Sequence, residues 1–117
     1  MAKTILIIDD DPEVLVYLQE FLQDHGYATI TAADGAQGLE KAHAHKPDLI
    51  TLDIDMPHKS GTLFYASMRQ DSQLRDIPVI VISGVGPRPP ALKKGVPVLT
   101  KPIDNEALLQ AIHDALP

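Results

Sequence analysis

Carboxylates, one hydroxyl and one ammonium recur in this chain at one kind of place, the carboxyl end of a short apolar run. Ile5-Leu6-Ile7-Ile8 leads into Asp9-Asp10-Asp11, and Leu49-Ile50-Thr51-Leu52 into Asp53 with Asp55 two residues on. Val79-Ile80-Val81-Ile82 leads into Ser83, and Val98-Leu99 into Thr100-Lys101-Pro102. Carboxylates brought together repel one another, so a cation must join them or some must take up protons or stay solvated. Mg²⁺ suits such a cluster, because it prefers hard oxygen ligands and usually keeps several waters and a phosphate oxygen beside a few protein ligands. An aspartate at that metal can attack phosphorus and become an acyl phosphate, while a lysine and a hydroxyl neutralise the equatorial oxygens. The chemistry that uses all these parts is phosphoryl transfer. Taken singly, each part has an ordinary structural reading: the three Asp ahead of Pro12 as a helix cap with solvated neighbours, Ser83-Gly84 as a turn, Lys101-Pro102 as a strand end.

The parts meet only if the apolar runs are strands of one sheet. Runs rich in Ile, Val and Leu at 4–9, 27–31, 48–53, 77–83 and 96–99 alternate with longer segments of helical period, the pattern of βαβ units and a parallel sheet. The first helix is announced by Asp11-Pro12-Glu13, a cap followed by Pro at the first helical position; Leu15, Leu18, Phe21 and Leu22 share one face, and Gly26 stops it. A second is expected over 35–45 behind Asp34, blocked by Pro47, and a third from Ser60-Gly61 to Arg69 or Gln70. The last is expected over 105–116, capped by Asp104, with Leu108, Leu109 and Ile112 as its buried stripe. Five strands joined by right-handed crossovers predict a doubly wound parallel sheet with helices on both faces, whose site lies beyond the carboxyl ends of the strands. Between the fourth and fifth strands, three prolines in Gly84-Val85-Gly86-Pro87-Arg88-Pro89-Pro90 leave room for little more than one turn. The fourth helix of such a series is therefore expected to be shortened or missing, and the Gly84 to Pro90 loop to be mobile.

At 117 residues and 44% apolar composition the chain is sized for one domain with a proper core, so 1–117 reads as a single unit. No apolar run approaches the roughly 18 residues of a membrane span, and MAKTILIIDD turns acidic where a signal peptide needs its cleavage site, which points to a cytoplasmic protein. The absence of cysteine excludes disulfides, thiolate metal sites and a cysteine nucleophile. A net charge of −6 argues against direct binding to nucleic acid by this chain. His25, His43, His45, His58 and His113 form no i, i+4 pair for a metal and read as surface residues.

Together the strings ILIIDDDP, PDLITLDIDMPHKSG, IPVIVISG and LTKPID, in this order and spacing, resemble the receiver domain of two-component response regulators, the CheY-like superfamily. The resemblance spans the whole chain and implies a sheet of order 2-1-3-4-5. It also implies that Asp53 is the phosphoacceptor, that Asp9 and Asp10 are an acidic pair with Asp10 binding Mg²⁺ directly, and that Asp53 and the backbone carbonyl of Asp55 complete the metal's protein ligands. The Asp55 side chain would then be free to tune access of water and phosphatases. Ser83 would be the switch hydroxyl, Lys101 the phosphoryl-pairing lysine, and Pro102 would follow a cis peptide bond. The implied partners are a sensor histidine kinase or a histidine phosphotransfer protein, with no role as a steadily turning-over enzyme.

Two departures from that family bear on output. Val98 stands three residues before the lysine, where an aromatic is common, and the shortened fourth helix removes part of a face used for dimerisation, so any homodimer is expected to use another face. Two other function classes compete. Asp53-Ile54-Asp55 also matches the DxD nucleophile of haloacid-dehalogenase-type phosphatases, but there the DxD strand comes first, whereas here the acidic pair precedes it. The other is a binding module that keeps the receiver fold without phosphorylation; intact Asp10, Asp53, Ser83 and Lys101 stand against it.

Overall fold

The computed structural model, which describes residues 2–84 and 92–116, has five strands and four α-helices, alternating except that β5 follows β4 without an α-helix among the described residues. The strands are β1 (Thr4–Ile8), β2 (Ala28–Ala32), β3 (Leu49–Asp53), β4 (Val79–Ser83) and β5 (Val98–Thr100). The helices are α1 (Pro12–Asp24), α2 (Gly35–His45), α3 (Ser60–Gln70) and α4 (Asn105–Ala115), with a short 3-10 turn, Pro57–Lys59, ahead of α3. The sheet is parallel throughout, in the order β2-β1-β3-β4-β5. This is the doubly wound arrangement expected from the sequence, and the place where the order reverses, between β1 and β3, is where such sheets open a crevice.

Local chemistry sets the helix ends. The Asp11 carboxylate accepts from the Glu13 amide and Asp34 from that of Gln37, while Asp104 accepts from Glu106 and Ala107, so α1, α2 and α4 each have a side-chain cap for otherwise unpaired N–H groups, whereas α3 continues from the 3-10 turn ahead of it. Gly26 follows α1 at φ 89°, a conformation that disfavours a Cβ. Helix α2 closes on Lys46 in the left-handed region, immediately before Pro47.

The central strands are apolar on both faces because both are covered. Leu6, Ile8, Ile50, Leu52, Val79 and Val81 pack with Ala42 of α2 and Phe64 and Met68 of α3. On the opposite face Ile5, Ile7, Leu49, Ile80 and Ile82 pack with Leu18 and Leu22 of α1 and Leu108 and Ile112 of α4. Burying each such side chain stabilises by about 1.5–3 kcal/mol, so the sheet edge is held by a stiff, two-sided core.

The structure corrects several details. Asp9 lies just past β1, and Ile77 lies outside β4, its amide closing a turn on the Leu74 carbonyl. Strand β5 starts at Val98 rather than 96, because Pro97 has no N–H to give the ladder. Leu109 is only half-buried; Ala111 and Ala115 complete the α4 stripe beside Leu108 and Ile112, since these positions share a face at helical spacing. Within the β4–β5 connection residues 92–97 form turns without a helix, with Leu92 buried in the core; residues 85–91, and with them most of the expected mobile loop, lie outside the described residues.

One contact ties this packing to the chemistry. A Cβ built on Gly61 would lie 2.4 Å from the Asp53 carbonyl oxygen and 2.8 Å from the Ile54 Cα, so only glycine lets the first turn of α3 press against the end of β3. Gly61→Ala should therefore destabilise the domain by on the order of 2 kcal/mol, read as a lower urea midpoint with an unchanged m value.

Candidate functional site

Three strand ends place the central group. Asp53 is the last residue of β3, Asp9 follows β1, and Lys101 follows β5, its amide bonded to the Ser83 carbonyl at 2.9 Å. Asp9 and Asp53 are only 1% and 2% exposed, whereas Asp10 faces solvent. One carboxylate oxygen from each of Asp9, Asp10 and Asp53 lies within 4.8 Å of the others. The Lys101 ammonium stands 3.4 Å from Asp9 Oδ2 and 3.6 Å from Asp53 Oδ2. The Lys101-Pro102 peptide is cis.

Three carboxylates formally face one ammonium. Two charges 4.8 Å apart repel by about 3 kcal/mol at an effective dielectric of 20, so the site as it stands favours either a proton or a cation. Asp53 carries the imbalance: burial, with the nearby Asp9 charge, outweighs the Asp55 amide and Lys101 and pushes its pKa from 3.8 up to about 6. Burial works against the Lys101 ammonium, but Asp53 and Asp9 outweigh it and hold its pKa above the usual lysine value.

Hydrogen bonds fix the carboxylates. The Asp11 amide donates to Asp9 Oδ1 at 2.9 Å and the Asp55 amide to Asp53 Oδ1 at 3.0 Å. Asp9 Oδ2 is buried and, among the described residues, accepts no hydrogen bond. Every residue singled out from the sequence, Asp9, Asp10, Asp53, Asp55, Ser83 and Lys101, thus comes to one edge of the sheet. Asp11 serves as the helix cap, and all five histidines are exposed.

One expectation fails. The Asp55 side chain is not free: its Oδ2 accepts from the Ser83 hydroxyl at 3.1 Å and from the Gly84 amide. The β3–β4 register pairs Asp53 with Ile82, which sets residue 55 beside residues 83 and 84, and a register is not visible in either strand alone. Sequence reasoning also missed Ser60, whose hydroxyl accepts from the Gly35 amide at 2.6 Å and ties α2 to α3.

The sequence profile of the response regulator receiver domain matches residues 5–113. The chain belongs to that family. It is 33% identical to the protein PilH of Pseudomonas aeruginosa over 99% of this chain and 98% of that one. It is 38% identical to the transcriptional regulatory protein GlrR of Escherichia coli, of whose length it spans only 26%. Among solved structures, the chemotaxis protein CheY4 of Vibrio cholerae superposes with a TM-score of 0.86 at 30% identity, over 99% of this chain and all of that one. The function class is accordingly that of a signalling phosphoacceptor in two-component systems, and the phosphatase and unphosphorylated-module readings are not favoured. Receiver domains take their phosphoryl group from histidine kinases, and relatives include a hybrid signal transduction histidine kinase of Dictyostelium discoideum. No helix among the described residues is long and apolar enough to cross a membrane.

The shifted carboxyl has a consequence for stability. The native state holds the Asp53 proton more tightly than the unfolded chain does, so this group's contribution is most favourable below about pH 4 and is lost as pH rises through about 6. In metal-free buffer Asp53→Asn should be more stable than the parent at about pH 7.5, by on the order of 2 kcal/mol, and this advantage should shrink toward pH 4 in paired thermal melts.

Proposed function

We propose that Asp53 accepts the phosphoryl group and that Asp9, Asp10, Asp53 and the Asp55 backbone carbonyl hold Mg²⁺. The observation that carries this reading is the buried Asp53 carboxylate, pushed up to about 6 beside two other acids and a single ammonium. The donor set fits the ion: it is all oxygen, it is anionic, and buried Asp9 Oδ2, which accepts no hydrogen bond among the described residues, is faced by the Lys101 ammonium at 3.4 Å. When bound, Mg²⁺ supplies charge neutralisation between the carboxylates and the incoming phosphoryl oxygens.

The chain's own residues divide the remaining work. An ionised Asp53 oxygen attacks phosphorus in line with the N–P bond of a phosphohistidine. The O–P bond forms as the N–P bond breaks, and the electron pair leaves on the imidazole nitrogen. Lys101 faces the reacting oxygen and neutralises charge on the transferring group. Ser83, at the end of the adjacent strand, donates to the aspartyl phosphate once formed, biasing an equilibrium between two surface states. A small donor such as acetyl phosphate replaces phosphohistidine with an acyl oxygen as the leaving atom.

The donor protein is a sensor histidine kinase or histidine phosphotransfer protein, the location cytoplasmic, and residues 1–117 act as one receiver domain. Exposed Val16 and Tyr17 on α1 offer apolar surface, and a groove lined by Val14, Tyr17 and Ile103 runs to Lys101, so a donor helix has a place to bind beside the acceptor.

Incubation with acetyl phosphate and Mg²⁺, followed by intact-mass measurement, should show a single phosphoryl adduct in the parent and none in Asp53→Asn or after chelation. Lys101→Ala should slow labelling by about tenfold or more. Steady release of phosphate over many turnovers, abolished by Asp53→Asn, would overturn the acceptor reading in favour of a phosphatase.

A further inference from the structure

Ser83 has one hydroxyl proton to donate and Gly84 one amide proton. Both go to the same atom, Asp55 Oδ2, across the gap between the ends of β3 and β4. Asp55 is held where it can take them, because its own amide is bonded to Asp53 Oδ1 at 3.0 Å and the Ile54 amide to the Ile82 carbonyl at 3.1 Å. Its carboxylate is solvent-exposed, so accepting these bonds demands little desolvation, and bonds to an ionised acceptor are about twice as strong as neutral ones. Two donors at the end of the strand beside the acceptor are thus already occupied by an anion belonging to the chain itself.

We infer that Asp55 is a positioning residue that restrains the switch: its carboxylate stands in for the phosphoryl group, holding Ser83 and Gly84 until a stronger acceptor on Asp53 displaces it. This rests on the reading of Asp53 as the phosphoacceptor. A phosphoryl group brings a charge of about −1.5 to −2 with three acceptor oxygens. Formed on the residue whose carboxylate bonds the Asp55 amide, it repels the Asp55 carboxylate and offers Ser83 and Gly84 better partners. Neither donor can serve both anions in full, so the resting bonds must break for the signalling ones to form. Their free energy is therefore subtracted from that of phosphorylation, and residue 55 sets the threshold of the switch.

The test uses the whole chain with beryllofluoride and Mg²⁺, beryllofluoride standing in for the phosphoryl group. In the free chain, the Gly84 amide proton should move upfield in NMR spectra of Asp55→Ala relative to the parent, a change that needs no phosphorylation. Asp55→Asn, which keeps an acceptor but not the charge, should bind beryllofluoride roughly fivefold more tightly, the worth of one weakened hydrogen bond. In a Ser83→Ala background that gain should fall by about half or more, since one of the contested donors is gone. An unmoved Gly84 amide overturns the restraint. An undiminished gain in the Ser83→Ala background overturns it too, by assigning the effect to charge alone. A parent chain that takes neither beryllofluoride nor a phosphoryl group overturns the acceptor reading instead, and with it the competition, even where the Gly84 shift is seen.

Discussion

One ammonium cannot neutralise three carboxylates, and almost everything at the carboxyl edge of this sheet follows from that shortfall. Asp9 and Asp53 are buried, and solvent cannot reach in to screen them. They cannot move apart either, because β1 and β3 are neighbours in register and both faces of the sheet are packed. The raised pKa of Asp53 reports this condition: burial is its main cause, and the unrelieved repulsion from Asp9 adds to it. A site in this condition spends part of the stability of the core on readiness to receive a cation and an electrophile.

The packing that stores the charge also supplies its precision. Gly61 brings the first turn of α3 against the Asp53 carbonyl, so a helix backs the strand end that carries the acceptor. Ser60, one residue earlier, receives the Gly35 amide and couples the start of α3 to the start of α2. Lys101 reaches the acids because β5 is the outer neighbour of β4 and its backbone stays bonded to Ser83 past the last strand residue. Each device is small, yet together they hold four side chains from three strand ends within reach of one another.

The second set of contacts concerns response rather than acceptance. Ser83 and Gly84 meet Asp55, and the residue three before Lys101 is Val98, half-buried against the α2–α3 core, where many receivers carry an aromatic. A valine has no ring to swing, and its branched Cβ restricts rotation about χ1.

Much of this was legible in the order of residues. Apolar runs ending in Asp, Ser or Lys, helix caps at Asp11, Asp34 and Asp104, and blocking prolines are local signals; their physical causes act within a few residues and survive without the fold. Hence the doubly wound parallel class, the helix positions and the membership of the acidic cluster were legible in the sequence, while the strand order came from the resemblance of its motifs to a known family. Residues whose role depends on register or on close approach were not. That Asp55 would bond Ser83 and Gly84, that Gly61 would touch the Asp53 carbonyl, and that Leu109 would sit outside the α4 stripe were decided only when strands aligned and helices docked. A hydrogen bond between residues 28 positions apart depends on distances of tenths of an ångström, and only the assembled core sets those.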